Sequence, residues 1–243
     1  MSEATFPPEL LAATDDAQRR AIAVARRTQA ALAEGMMPAD VEALLRSGAT
    51  EAGFTAWFHP PQVRFGGPVR PGLRATPKPL RRGTLVELDL GPADARAAAD
   101  FGTAFVFGAS GPEPAVLGQA RALLRASAGF ASRWKCAGEV YVYADAWARN
   151  RNASLGGAGD VGHVLFGPVG RTAPLWPHLA RAAIRMRRHQ LHWFNHRRMH
   201  GLYAVRPRFV QAGHGCAFEE VILIDGDTRR PIGRDSWDEL GTL

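Results

Sequence analysis

Four residues of this 243-residue chain carry chemistry at odds with the apolar, strand-like stretches around them. Asp89 stands between Leu88 and Leu90, and Asp100 follows eleven residues later. Glu219 comes directly after Phe218, just ahead of the run Val221-Ile222-Leu223-Ile224. His163 follows the glycine-rich stretch Gly156-Gly157-Ala158-Gly159-Asp160-Val161-Gly162. A carboxylate in a buried strand is costly unless something neutralises it. A divalent cation held by oxygens and one imidazole is the usual remedy, so Asp89, Asp100, His163 and Glu219 are candidate metal ligands.

The elements that must position them follow from apolar spacing and turn residues. Residues Asp15 to Glu34 read as a helix capped by Thr14 or Asp15 and ended by Gly35. A second helix is expected from Pro38 to just before Gly53, and strand-like, turn-rich sequence from Phe54 to Pro79. Leu85 to Leu90 and Gly102 to Phe107 read as a hairpin turning at Gly91-Pro92-Ala93-Asp94. Helices are expected over Pro112–Trp134 and Glu139–Asn150. A last hairpin, Gly201 to Phe209 and Gly215 to Ile224, runs into the tight turn Asp225-Gly226-Asp227. Two helices, a hairpin, two helices and a hairpin suggest two related halves.

On these residues the chain resembles the methionine aminopeptidase, Xaa-Pro aminopeptidase, prolidase and creatinase superfamily. Thr84 to Pro92 followed by Ala99 to Phe105 is similar to its two-aspartate hairpin. Gly162-His163 is similar to its metal-binding histidine, and Ala217-Phe218-Glu219-Glu220 to the strand with its last metal-binding glutamate. Trp57 to Gly66 resembles its substrate-facing strand, with His59 lining the pocket. The resemblance runs from about Ala13 to Asp225. It implies the α+β pita-bread fold, two pseudo-symmetric halves of helices over a curved antiparallel sheet. It further implies a single domain over residues 1–243, with residues 1–12 flexible and without the separate N-terminal domain of creatinase and prolidase.

One departure from that family matters most. Arg206, in Leu202-Tyr203-Ala204-Val205-Arg206-Pro207-Arg208-Phe209, stands where a second ligand glutamate is expected. A further family histidine is missing between Val164 and Arg171, and neither His178 nor the later histidines fit its spacing. Exchanging a carboxylate for a guanidinium moves the local charge by two units. Each unit costs a cation roughly 4 kcal/mol at about 4 Å and an effective dielectric of about 20. The His163 side is therefore expected to bind metal poorly, with Arg206 forming a forked pair with Asp100 or Glu219. One divalent ion (Mn, Fe, Co or Zn) on the Asp89–Asp100–Glu219 side, or none, is the expected cofactor.

Other signals are weaker. Gly157 to Gly162 fits GxGxxG, but no strand leads in and no acidic partner follows at the required distance. The glycines are expected to let the backbone turn before His163. His189, His192, His196 and His200 recur at helical spacing in an arginine-rich segment with Trp193 and Phe194. The expected role is a solvated or pocket-lining basic helix rather than a second metal site.

Composition narrows the classes. The net charge of +7 is almost all arginine, since only Lys78 and Lys135 are lysines, and it argues only weakly for nucleic acid. No apolar run reaches the roughly 18–20 residues of a membrane span, and no secretory signal is visible, so a cytoplasmic location is expected. Cys136 and Cys216 form no CxxC pair and read as free, buried thiols. The expected partner is a small-molecule or peptide substrate, with a homodimer open.

Three functions follow as expectations. The first is a metal-dependent amide hydrolase of the methionine aminopeptidase type, with His163 as ligand or proton shuttle, His59 touching substrate and Arg206 recognising a substrate carboxylate. The second is a metal-free, creatinase-like or specialised-metabolism enzyme with His163 as general base. The third is a binding module on the same scaffold.

Overall fold

A computed structural model describes residues 6–66, 78–109, 111, 113–156, 159–165 and 190–243. Helix α1 (Pro8–Ala31) begins with a proline, which lacks the N–H that a first helical residue cannot use. It therefore starts about two turns before the expected Asp15, and residues 8–12, expected to be flexible, belong to it. Thr14 does not cap it but donates its hydroxyl to the Leu10 carbonyl at 2.8 Å. Ala17, Ala21, Ile22 and Ala25 form its buried stripe against α2 (Pro38–Glu51) and the first sheet.

That sheet has the order β1 (Ala56–Phe65), β2 (Leu85–Ala93), β3 (Phe101–Val106), all antiparallel. Strand β2 runs on through Gly91 and Pro92, where a turn was expected. The turn falls at Asp94, whose Oδ1 accepts the N–H groups of Arg96 and Ala97. Edge strand β1 is irregular at His59, with register shifts on both sides of it. Pro60 and Pro61 cannot donate to a ladder, and an edge strand with a bulge tolerates them.

The second half repeats the arrangement. Helices α3 (Ala115–Phe130) and α4 (Ala137–Arg149) bury Leu117, Leu123, Leu124, Val140 and Ala144 in a second core. Where one long hairpin was expected at the end of the chain, each arm breaks and changes sheet. Strands β6 (Gly201–Val205) and β9 (Glu220–Asp225) lie in the order β10-β9-β6-β5, with β5 at Gly162–Val164 and β10 at Thr228–Pro231. Strands β7 (Arg208–Gln211) and β8 (His214–Ala217) pair instead with β4 (Ser154–Gly156). The breaks fall at Arg206-Pro207 and Phe218-Glu219. Proline supplies no N–H to continue the ladder at the first of them.

The expected histidine helix is not found. Residues 190–200 are irregular, and Gly138 N–H and Ala137 N–H bond the carbonyls of Asn195 and Arg197. His192 is buried and stacked on Tyr141, whereas His196 and His200 are exposed. His189, His178, Gly157 and Ala158 lie outside the described residues. The cysteines are free, with Cys216 buried and Cys136 only partly so.

A candidate metal centre crossed by an arginine

A pair of backbone hydrogen bonds joins the two halves at Gly102. Gly102 N–H donates to the Glu219 carbonyl at 3.0 Å and Glu219 N–H to the Gly102 carbonyl at 2.8 Å. Because Asp89 is the register partner of Gly102 on the other side, Asp89, Gly102 and Glu219 stand in a row across three strands. The middle residue has no side chain, and a Cβ there would lie 2.8 Å from the Glu219 Cβ. Sequence reasoning did not single out Gly102 as a spacer between the two acids.

Asp100 enters just ahead of β3 and is held by its backbone. Gln18 of α1 donates Nε2 to the Asp100 carbonyl at 2.8 Å and accepts the Asp100 N–H at 3.0 Å. Gln18 is fully buried among alanines. A lone amide on the apolar stripe of α1 was a readable signal for this clamp, because a buried amide must find partners. His163 comes from β5, whose pairing places it opposite Ala204. The preceding Gly162 has φ 134°, and a Cβ would stand 2.1 Å from the Ala204 carbonyl oxygen, so only glycine fits.

All four candidate ligands converge, and Arg206 and His59 join them. Arg206 donates Nη2 to Asp89 Oδ2 at 2.7 Å and approaches Glu219 Oε2 with Nε at 3.2 Å. The fork thus spans Glu219, one of the two expected partners, and Asp89 rather than Asp100, because Asp89 and Glu219 flank the side-chain-free gap at Gly102. His163 Nε2 lies 3.3 Å from Asp100 Oδ2 and 3.7 Å from Glu219 Oε1. His59 Nε2 lies 3.0 Å from Asp100 Oδ1 and 3.5 Å from Asp89 Oδ1. Two triads offer ligand atoms close together, Asp100–His163–Glu219 and His59–Asp89–Asp100. The guanidinium therefore crosses the Asp89–Glu219 side, where the metal was expected, and the His163 side keeps a complete triad.

Charge in this pocket is dense and mutually dependent. Burial opposes the charge of His59, but Asp100 and then Asp89 outweigh it and push its pKa up to about 10. Burial likewise opposes His163, and its contact with Asp100 raises it to about 9. Each ring's Nδ1 faces a carbonyl at 3.0 Å, of Pro60 and Val164 respectively. With acceptors at both nitrogens, each ring is an imidazolium donating twice. Burial would raise Asp100, yet His59 and His163 hold it well below the ordinary carboxylate range. Glu219 is raised, by burial first and by the charge of Asp100 second. Burial disfavours the charge on Arg206, but Asp89 and Glu219 more than restore it.

The residues fit a cation on one independent observation. Asp89 Oδ1, Asp100 Oδ2 and Glu219 Oε1 are buried and lack a well-formed hydrogen bond. Beside the pocket, Glu87 is forked by Arg208, which bonds both its oxygens and frames the same strand face as Asp89. A surface hollow of about 770 Å³ beside α1 and β10 is lined by none of these ligands.

The sequence pattern of metallopeptidase family M24 matches residues 12–225. Among solved structures, the chain is similar to an X-Pro aminopeptidase from Thermotoga maritima at 14% identity and a TM-score of 0.74, covering 95% of this chain and 62% of that one. A prolidase from Pyrococcus furiosus gives 15% identity and a TM-score of 0.73, over 96% of this chain and 66% of that one. A methionine aminopeptidase from Thermotoga maritima gives 15% identity and a TM-score of 0.71, over 96% of this chain and its own full length. This chain thus spans less than two thirds of the X-Pro aminopeptidase and matches the methionine aminopeptidase end to end. At such identities the likeness shows the fold, an α+β pita-bread fold. No curated protein matches the chain by sequence. Among the described residues no helix is long and apolar enough to cross a membrane.

Proposed function

The chain belongs to metallopeptidase family M24, and from that membership we propose that it is a methionine aminopeptidase-like amide hydrolase with a mononuclear metal site. Its one tightly held divalent cation (manganese, iron, cobalt or zinc) would be held by Asp100, His163 and Glu219. A cation so held supplies Lewis acidity toward a carbonyl and makes water nucleophilic near neutral pH.

The rest of the pocket is this chain's own. Arg206 serves as a permanent cation between Asp89 and Glu219, fixing both acids and occupying the oxygens a second ion would take. Charge supports a single tight ion. Three carboxylates carry three negative charges, and Arg206, the His59 imidazolium and one divalent ion together more than offset them, which leaves no charge to draw in a second ion. His59 orients Asp100 from the other side. Both contacts of Arg206 are internal, so they favour this role over recognition of a substrate carboxylate. The substrate class is a small-molecule or peptide amide outside the ordinary peptides of the family.

The observation that carries this is the pair of buried carboxylate oxygens on the His163 side, Asp100 Oδ2 and Glu219 Oε1, without well-formed hydrogen bonds. Calorimetric titration of chelator-treated protein with manganese, cobalt and iron(II) tests it. Wild type is expected to take one tight equivalent and Arg206→Glu two, with amide hydrolysis lost on chelation. A wild type that takes no tight ion, while Arg206→Glu does, sinks the proposal.

A second, metal-free reading has one observation in its favour. Arg206 and the two imidazolium rings already balance the three carboxylates. In that case His163, held protonated by Asp100, acts as an acid rather than the expected base.

A further inference from the structure

Among the described residues, the large apolar side chains left in water are not scattered. Trp134, Val142, Trp193 and Phe194 are the exposed ones, the two tryptophans at 65% and 60%. All four come from residues 134–142 and from the irregular segment 190–200 that packs on them. Backbone bonds zip the two stretches together: Met199 N–H to the Lys135 carbonyl at 3.0 Å, Ala137 N–H to Arg197 at 3.1 Å and Gly138 N–H to Asn195 at 2.7 Å. A row results, with Trp134 and Arg198 at one end, Arg197 in the middle, and Trp193 and Phe194 at the other. Exposed apolar surface gathered on one face in this way marks a place of contact.

The aromatic rings are already ordered by their neighbours. The Arg133 guanidinium lies over the Trp134 ring at 4.2 Å and pairs with Asp227 at 3.1 Å. Phe194 packs on the His192 ring at 4.0 Å, and Trp193 stands edge-on to Phe194 at 5.5 Å. Binding to such a face loses little side-chain freedom. Charge defines what can sit there. Between Asp160 and Glu219 the sequence holds nine arginines and no acid. Arg197 and Arg198 are exposed, and no carboxylate among the described residues pairs with either; Arg198 donates to the Trp134 carbonyl.

The occupant must therefore supply both negative charge and flat apolar faces. A second copy of this chain would set arginine against arginine. An acidic peptide offers the charge but not the faces, and a lipid surface is best met by aliphatic side chains, of which this patch exposes only Val142. We propose that the face formed by Trp134, Trp193, Phe194, Arg197 and Arg198 binds single-stranded nucleic acid, its bases stacking on the rings and its phosphates pairing with the guanidinium groups. None of these side chains belongs to the metal pocket, so the inference is independent of the proposed function.

Anisotropy of a labelled oligothymidylate of about 12 nucleotides, titrated with full-length protein, tests this. The expected result is saturable binding at least about tenfold tighter than to a duplex of the same length, with quenching of tryptophan fluorescence. Two phosphates neutralised by Arg197 and Arg198 give a slope of about −1.4 in log affinity against log salt, and Arg197→Ala is expected to bring it to about −0.7. Trp134→Ala and Trp193→Ala are each expected to weaken binding about tenfold. All three variants should keep the wild-type melting temperature and manganese binding. Oligothymidylate binding that the tryptophan variants leave unchanged overturns the inference, as does equal binding of duplex and single strand. Binding of phosphatidylglycerol vesicles or polyglutamate in place of the oligonucleotide overturns it in favour of a membrane or an acidic peptide. No binding of any of these overturns it and leaves the proposed function standing.

Discussion

Arg206 reaches across the gap at Gly102 to two acids, and the same cluster of acids charges the two histidines beside it. The consequence for pH is set by those histidines in protein without metal. Their folded pKa values, about 10 for His59 and about 9 for His163, stand above the ordinary value of 6.5. A raised value contributes stability that is complete below about pH 6.5 and lost as pH rises through the folded values. Glu219, also raised, acts in the same direction from its own lower ordinary value, and Asp100, lowered, acts oppositely only in acid. The melting temperature of chelated protein is thus expected to fall from about pH 6.5 to about pH 10. Saturating manganese should flatten that fall, since it binds the neutral imidazole. A melting temperature independent of pH over that range in chelated protein would show that the imidazolium contacts do not form.

Among the elements, the meeting of β3 with the turn into β9 is the most constrained feature. Gly102 has an ordinary φ, so Gly102→Ala tests space rather than backbone conformation. Its methyl would press on the Glu219 Cβ and spread the row Asp89–Gly102–Glu219. A loss of about 1–3 kcal/mol in urea melts is expected, as for an overpacked core, with weakened manganese binding. Wild-type stability and binding in that variant would mean the row is slack.

Much of this arrangement was legible beforehand. Apolar periodicity placed α2 and the pairing of β2 with β3, and acids set in apolar runs marked Asp89, Asp100 and Glu219. Sequence gave less warning where tertiary pairing overrides local pattern. Strand β2 continues through Gly91 and Pro92 because β1 pairs with it there. The histidines of 190–200 do not share a helical face because Gly138, which has no side chain, lets that segment pack on the start of α4. Of the two acids Arg206 reaches, Glu219 was expected and Asp89 was not, because the second depends on a gap made by a residue with no side chain at all.

At the scale of the whole molecule, three apolar clusters are tied together at their seams by buried charge. Arg234 donates Nη2 to Glu220 Oε1 at 2.6 Å and to the Thr242 carbonyl at 2.6 Å. Glu220 Oε1 also accepts Gly241 N–H at 3.0 Å. The chain's last residues are so fastened to β9, next to Glu219. Arg234→Ala leaves Glu220 buried without its counter-charge and is expected to cost about 3–5 kcal/mol. The double replacement Arg234→Met with Glu220→Leu should recover most of that, as read from denaturant midpoints. If the single variant melts like wild type, the seam is not what holds the C-terminal residues.

The tethered guanidinium also bears on the order of assembly. Three acids forced into one dry space repel one another, and a site that relies wholly on ions to offset this is only as well formed as the ion supply allows. Here part of the offset is encoded in the polypeptide and is present from the moment the strands pair. A pocket braced in this way would keep its walls in place whether or not an ion is bound.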